Sequence, residues 1–268
     1  MPTLILTPGA AATGSTKQMR IAWDNLLTHA NATVTTDSET AGYEHALAYN
    51  GQAYNYWLPA TGGTHYITAV FPSAQLANYF AFYGQTVYAN GGSIALQYST
   101  NAGTTWTTAA SVTPSDTSPG YVVFTPVSAT YWRVRVISSP ASLLGVVAFG
   151  QDMILPHGCW NGFAPPAFAR DTMVTNATSE TGTFIGRSIV KKGSLSTLDL
   201  GYLDAGWMRT NWLPFQKWAE LGPFFLLWNS VDYPLESAFC WADGAVDKPS
   251  IQMTTFMQTK FKFRCRID

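Results

Sequence analysis

The chain has 268 residues, enough for one large domain or two modest ones at about 150 residues each. A hydrophobic content of 47% with only 12% charged side chains excludes a disordered polymer, which needs the reverse balance. Fifteen Lys and Arg set against sixteen Asp and Glu leave no net field to draw in nucleic acid or an anionic membrane.

In chain order, Met1 to Ala12 has no basic residue ahead of its short apolar stretch, so no secretory leader is expected and the protein is expected to fold in the cytoplasm. Lys17 to His29 places Met19, Trp23, Leu26 and Leu27 at helical spacing and is expected to form a short helix, as is Ala74 to Tyr83. The intervening and following segments read as strands: Tyr66–Phe71, Ser93–Ser99, Tyr121–Phe124 and Tyr131–Val136, each rich in β-branched or aromatic residues and bounded by turn formers. Tyr98 to Trp106 is expected to form a hairpin, with Asn101 and Gly103 supplying positive φ. Beyond Gly150 the best strands are Phe184–Val190, Phe224–Trp228 and Thr259–Ile267, with a short helix over Leu213–Leu221. The longest apolar runs, Val146–Phe149 and Phe224–Trp228, fall far short of the roughly 20 residues of a membrane span.

Charge divides the chain. Residues 1–150 hold Lys17, Arg20, Asp24, Asp37, Glu39, Glu44, Asp116, Arg133 and Arg135 and no other charged side chain, and none falls between Glu44 and Asp116. The shift predicts a domain over 1–150 with a neutral, hydrogen-bonding surface and a second, also β-rich, over 151–268. Many short strands with regular turns make the fold class all-β, with a jelly-roll sandwich in the first domain.

Chemistry-bearing motifs are sparse. Cys159, Cys240 and Cys265 fit neither a disulfide framework nor a CxxC site and read as free thiols. His157 and Cys159 offer two metal donors where zinc needs four, and the Asp243-Gly244 to Asp247 stretch lacks the alternating oxygens of a calcium loop, so no metal and no cofactor is expected. Gly182 to Ser188 is one residue short of a phosphate loop and has Arg in place of its Lys. Four histidines in no recognisable motif and the absence of a Gly-x-Ser-x-Gly elbow give no nucleophile, and the acid pairs Asp199 with Asp204 and Asp232 with Glu236 are weak material for glycoside hydrolysis. The chain is expected not to be an enzyme.

Two patterns remain. Lys260, Lys262, Arg264 and Arg266 alternate with Phe261, Phe263, Cys265 and Ile267, placing four cations on one strand face, either as an assembly interface or as a solvated face paired with neighbouring acids. Tyr54, Tyr56, Trp57, Tyr88 and Trp106 offer flat apolar faces among neutral hydrogen-bonding groups, as sugars require, although Trp57 and Trp106 read first as core plugs at the ends of the sandwich.

Residues from about Ile21 to Gly150 resemble a discoidin-like (coagulation-factor C-type) jelly roll. The likeness is carried by Ala41-Gly42-Tyr43 through Tyr56-Trp57-Leu58-Pro59, by Val70-Phe71-Pro72, by the Gln97 to Trp106 hairpin and by Tyr131 to Val136. That family's extracellular members usually tie their termini with a disulfide, and here no Cys precedes Cys159. From about Pro156 the chain is similar to minor tail and distal-tail proteins of long-tailed bacteriophages, through Gly186-Arg187-Ser188, Gly222 to Asn229, Pro234 to Glu236, Cys240-Trp241 and Phe261 to Cys265. These resemblances imply a tail-tip or baseplate component of the virion, made in the host bacterial cytoplasm. Its partners would be other tail proteins and itself, as a hexameric or trimeric ring, with no nucleic acid and no membrane insertion. The alternative is a carbohydrate-binding module recognising host cell-surface glycans.

Overall fold

Proline and the pleat together shape the first unit. In the computed structural model, which describes residues 17–157 and 162–267, the strands are, in chain order, β1 (Arg20–Ala22), β2 (Thr33–Thr36), β3 (Gly63–Gln85), β4 (Ser93–Ser99), β5 (Thr107–Val112), β6 (Gly120–Ser138), β7 (Leu144–Gly150), β8 (Met153–Ile154), β9 (Met173–Thr178), β10 (Phe184–Lys191), β11 (Ser194–Asp204), β12 (Phe224–Leu227), β13 (Ser237–Ala242), β14 (Ser250–Met253) and β15 (Phe256–Arg266). All the pairings described below are antiparallel, so the all-β expectation holds.

Chain contacts divide the molecule into two units: residues up to His157 with Phe224–Ser237, and Gly158–Pro223 with Ala238–Ile267. The expected division at 150/151 therefore moves by a few residues, and the chain returns to the first unit for one segment. That return is invisible to a charge count, because β12 is recruited by pairing with β1 some two hundred positions earlier in the chain.

In the first unit, β3 and β6 are long strands paired with each other from Gly63↔Ser138 to Phe82↔Gly120. The ladder breaks between Val70 and Gln75 and again between Ala77 and Tyr79. Pro72 falls in the first break on β3, and Pro126 lies in the β6 gap opposite the second, between Val127 and Val123, where a residue without an N–H forfeits no ladder bond. On one side of the breaks the order is β2-β3-β6-β4-β5, and on the other the distal half of β3 pairs with β7. Trp132 of β6 packs against Phe149 of β7 with ring centroids 5.5 Å apart, and the surrounding core includes Trp57, Ile67, Phe80, Phe82, Leu96, Val134 and Val147.

Two helix expectations fail here. Ala74–Tyr83 is β strand, because Tyr79 to Phe82 are buried on both faces and so carry no period of two that would distinguish them from a helix. Lys17–His29 holds strand β1 and a single 3-10 turn, Leu26–Thr28, capped by Asn25, whose Oδ1 accepts from Leu27 N at 3.2 Å. Arg20 of β1 is buried with its guanidinium 2.9 Å from Asp152, whose carboxylate also accepts from Asn78 at 2.8 Å and the Tyr121 hydroxyl at 3.0 Å.

In the second unit β15 lies between β11 and β13, with β14 paired to its start. The period-two pattern is realised as written: Phe261, Phe263 and Cys265 are fully buried, while Lys260, Lys262 and Arg266 are exposed. The expected helix is present as α2 (Leu213–Ala219), preceded by α1 (Ala205–Trp207) and a π-helical turn over Met208–Trp212. Pro214, at the start of α2, can donate no i→i−4 bond, and the Leu213 N–H reaches back five residues to the Met208 carbonyl. Phe215 seats the helix on the sheet, its ring centroid 5.5 Å from that of Phe261. Strands β9 and β10 form a separate two-stranded ribbon.

Candidate functional site

Two loops of the neutral stretch, one before β3 and one after it, come together at one end of the first unit. The loop preceding β3, the turn after β3 and the segment entering β7 meet there: Trp57 and Leu144 exchange backbone hydrogen bonds at 3.0 Å, Thr86 N donates to Leu143 O at 3.2 Å, and a methyl added at Gly145 would lie 2.9 Å from the Gly84 carbonyl oxygen. Short polar side chains fix the loops. Asn50 Oδ1 accepts from Gln52 N at 2.8 Å, Gln52 Oε1 accepts from the Tyr54 hydroxyl at 2.7 Å and from Asn55 Nδ2 at 2.9 Å, and Asn90 Nδ2 donates to Ser142 Oγ at 2.8 Å.

Tyr54 is 79% exposed. Tyr56 is partly buried and stacks on Tyr43, with ring centroids 4.9 Å apart and planes 11° from parallel. The pair is held by the Thr40–Tyr43 turn, in which Tyr43 N donates to Thr40 O, clasped to Leu58: Thr40 N donates to Leu58 O at 2.8 Å and Leu58 N to Tyr43 O at 3.1 Å. The hydrogen bond between the two phenols raises the Tyr56 pKa above its ordinary value. Tyr88 stands in a 3-10 turn, Val87–Asn90, and is exposed; its N–H donates to the buried Gln85 side chain at 3.1 Å. At the border His45 Nδ1 lies 2.8 Å from Glu39, and this bond lowers the Glu39 pKa.

Two expected members do not belong to this surface. Trp57 is completely buried, and its indole N–H donates to Ser38 O at 2.9 Å, so its ring is a core plug offering no face to a ligand. Trp106 follows β4, whereas Tyr88 precedes it, and a seven-residue strand separates them by about 20 Å. One face of Trp106 is covered: the Arg133 guanidinium lies 4.1 Å from its centroid and 4.1 Å from that of Tyr66, while Arg133 Nε donates to Gln97 at 2.8 Å. In the hairpin that Trp106 closes, positive φ falls on Ala102 and Gly103; Asn101 instead accepts from Thr105 N at 2.9 Å through its side chain. Tyr43, Gln52 and Asn55 were not singled out as binding residues by sequence, since only the Thr40–Leu58 pairing brings Tyr43 to Tyr56.

The basic ladder is matched by acids. Arg264 contacts Asp243 and Asp171 at 2.6 Å each, Lys262 lies 3.1 Å from Asp243, Lys260 stands opposite Asp199 in the β11 register, and Arg266 donates to Lys192 O at 3.3 Å. The acid pairs are likewise engaged. Lys17 lies 2.9 Å from Asp232 and lowers its pKa, the opposite of what a general acid needs. Glu236 accepts from Trp228 Nε1 at 2.7 Å, and Asp204 caps the helix through Trp207 N at 2.8 Å. Gly182–Ser188 is the turn and first part of the β9–β10 ribbon, with no helix after it to receive a phosphate. Cys240 and Cys265 are buried free thiols on facing positions of β13 and β15; Cys159 lies outside the described residues. Among the described residues no group of three or more His, Cys, Asp or Glu could hold a metal ion, and no helix is long and apolar enough to cross a membrane.

Residues 31–145 match the F5/8 type C domain model, so this part of the chain carries a discoidin-like domain. Among solved structures, the chain is similar to a pectin-binding carbohydrate-binding module (20% identity, 46% of this chain and 93% of that one, TM-score 0.38). It is similar to chitosan-binding module 1 of a chitosanase/glucanase from Paenibacillus sp. IK-5 (26% identity, 48% and 99%, TM-score 0.40). It is also similar to the Clostridium perfringens module CpGH89CBM32-5, solved with GalNAc-β-1,3-galactose (14% identity, 45% and 96%, TM-score 0.39). No curated protein matches.

Proposed function

We propose that this protein is a non-enzymatic glycan-binding protein whose F5/8 type C domain presents its tyrosine-bearing end to a neutral polysaccharide. The observation that carries the reading is the grouping there of the exposed Tyr54 and Tyr88 and the stacked Tyr43–Tyr56 pair with Asn50, Gln52, Asn55 and Asn90. Aromatic faces supply the apolar contact for a sugar ring, and neutral amides supply donors and acceptors without the desolvation cost of a charge. The test is affinity electrophoresis through a panel of neutral polysaccharides. The native protein is retarded by at least one of them, Tyr54→Ala loses that retardation, and Trp106→Ala keeps it. Equal retardation of the native and Tyr54→Ala proteins overturns the site, and free migration through every polysaccharide overturns the function.

A second reading, structural assembly of the kind found in a bacteriophage tail tip or baseplate, is favoured by the β9–β10 ribbon. Met173, Phe184, Ile185, Ile189 and Val190 are 52–68% exposed on it, an apolar display that suits a subunit contact. Under this reading the protein sits in the virion with other tail proteins and copies of itself. Light scattering of the native protein then gives a closed oligomer, and Ile189→Asp reduces its mass to that of one chain.

A further inference from the structure

The sheet β2-β3-β6-β4-β5 of the first unit carries one polar row across all its strands. In register, Thr35 faces Thr68, Thr68 faces Arg133, Arg133 faces Gln97 and Gln97 faces Thr108. Directly opposed residues share a sheet face, and the alternate positions Ile67, Val134 and Leu96 lie in the core, so this row is on the outer side. Tyr66 and Arg135 stand opposite each other in the next row. Arg133 and Arg135, two residues apart on β6, therefore project from the same face about 7 Å apart along the strand. Arg133 is fixed by its neighbours. Tyr66 on β3 and Trp106 beyond β4 flank β6 from opposite sides, and the guanidinium carbon lies 4.1 Å from each ring centroid. Its Nε donates to Gln97 Oε1 at 2.8 Å, and Gln97 Nε2 in turn donates to Thr108 Oγ1 at 3.0 Å. The remaining N–H donors are those of Nη1 and Nη2. Arg20 is paired with Asp152, and Arg264 with Asp171 and Asp243; among the described residues Arg133 and Arg135 have no acid partner, and their terminal nitrogens make no hydrogen bond. Arg135 Nε is sealed from solvent and takes no part, whereas both side chains are partly exposed and their terminal nitrogens are open. Asp37 is already engaged, accepting from Tyr66 N at 2.7 Å with His65 Nδ1 at 3.3 Å. Burial lowers the Arg133 pKa and the Arg135 charge lowers it further, against the pull of Tyr66 and Asp37. A guanidinium nevertheless stays protonated, so two like charges stand together without a counter-charge.

We propose that this sheet face binds the carboxylate of an acidic sugar, a uronic acid residue of a polysaccharide. Arg133 Nη1 and Nη2 donate to the carboxylate as a fork, Arg135 supplies the second positive charge, and the sugar hydroxyls meet Thr35, Thr68 and Thr108. An isolated carboxylate among hydroxyls is complementary to two cations set in a row of neutral hydroxyls and an amide. Nucleic acid would need a denser field of cations, and none stands between Glu44 and Asp116. The site is separate from the tyrosine-bearing end, because it is carried by the strands of the sheet and not by the loops that hold Tyr54 and Tyr88. It takes a charged sugar where that end takes a neutral one.

The test titrates the full ¹⁵N-labelled chain with methyl β-glucuronide, methyl β-glucoside, acetate and sulfate, following the Trp106 indole N–H signal, assigned with Trp106→Phe. The signal is expected to shift saturably with the glucuronide, to stay in place with the glucoside, and to need at least tenfold more acetate or sulfate for the same shift. Arg133→Lys keeps the charge and removes the planar fork; it should weaken glucuronide binding at least tenfold while the backbone signals of the core keep their positions. Arg135→Gln should weaken it several-fold, and Tyr54→Ala should leave it unchanged, so that loss of the neutral-sugar site and loss of this one are read separately. A signal that stays in place with the glucuronide, that moves equally with the glucoside, that acetate or sulfate moves as readily, or that titrates unchanged in either arginine variant overturns the proposal. So does loss of the titration in Tyr54→Ala.

Discussion

Strands β7 and β10 are built from similar apolar residues and meet opposite fates. All seven residues of β7, Leu-Gly-Val-Val-Ala-Phe-Gly, are buried, whereas in β10, Phe-Ile-Gly-Arg-Ser-Ile-Val-Lys, seven are exposed and Gly186 is partly so. The difference lies in what each strand faces. β7 pairs with the distal half of β3 and receives Trp132 of β6, while among the described residues the β9–β10 ribbon has only its own hairpin partner. Apolar content therefore marks a surface that wants covering, and topology decides whether the chain covers it itself.

The comparison breaks most readily in the first unit. Replacing one member of a buried ion pair strands the other, so Asp152→Asn should lower stability by about 3–5 kcal/mol, measured by urea denaturation. A change below about 1 kcal/mol would mean that Arg20 is not desolvated as its burial implies.

The charge cluster of the second unit should give less. Arg264 lowers the pKa of Asp171 by hydrogen bonding, and Lys262, followed by Arg264, lowers that of Asp243, each from an ordinary 3.8. Groups with depressed folded values stabilise the fold fully above the unfolded value, and that stability fades as pH falls through the folded value. An Asp171→Asn, Asp243→Asn double variant should accordingly melt below the native protein at neutral pH and converge with it in strong acid. A gap that persists unchanged at low pH contradicts the assignment.

The smallest stability effects belong to the exposed residues. Ile185→Asp and Ile189→Asp on the ribbon, and Tyr54→Ala in the first unit, should each stay within about 0.5 kcal/mol of the native protein. A thermal melt that drops by several degrees for Ile189→Asp would show that the ribbon is packed after all.

Local pattern carried much of this architecture. β4 was legible to the residue from its β-forming side chains and flanking turns, and the alternation of β15 predicted which of its side chains are buried, because that strand has one face in and one face out. The distal half of β3 was misread as helix, since burial on both faces erases the alternation. Trp57, a candidate for both sugar contact and core plug, takes the second role; what seats it is Leu144, far along the chain, which no local pattern shows. For the same reason Trp106 was grouped with Tyr54 and Tyr88, although β4 runs between them. Tyr54, Tyr56 and Tyr88 stand out in the sequence because a stretch without charge leaves aromatic and amide groups as its recognition chemistry, and the structure leaves Tyr54 and Tyr88 exposed.

The most direct measurement of the central claim is a crystal structure of the protein with an oligosaccharide of the polysaccharide that retards it most. The account predicts a sugar ring against Tyr54 or the Tyr43–Tyr56 pair, hydrogen-bonded to the amides around them. A sugar seated instead beside Trp106 and Arg133, with the tyrosine-bearing end bare, would contradict it.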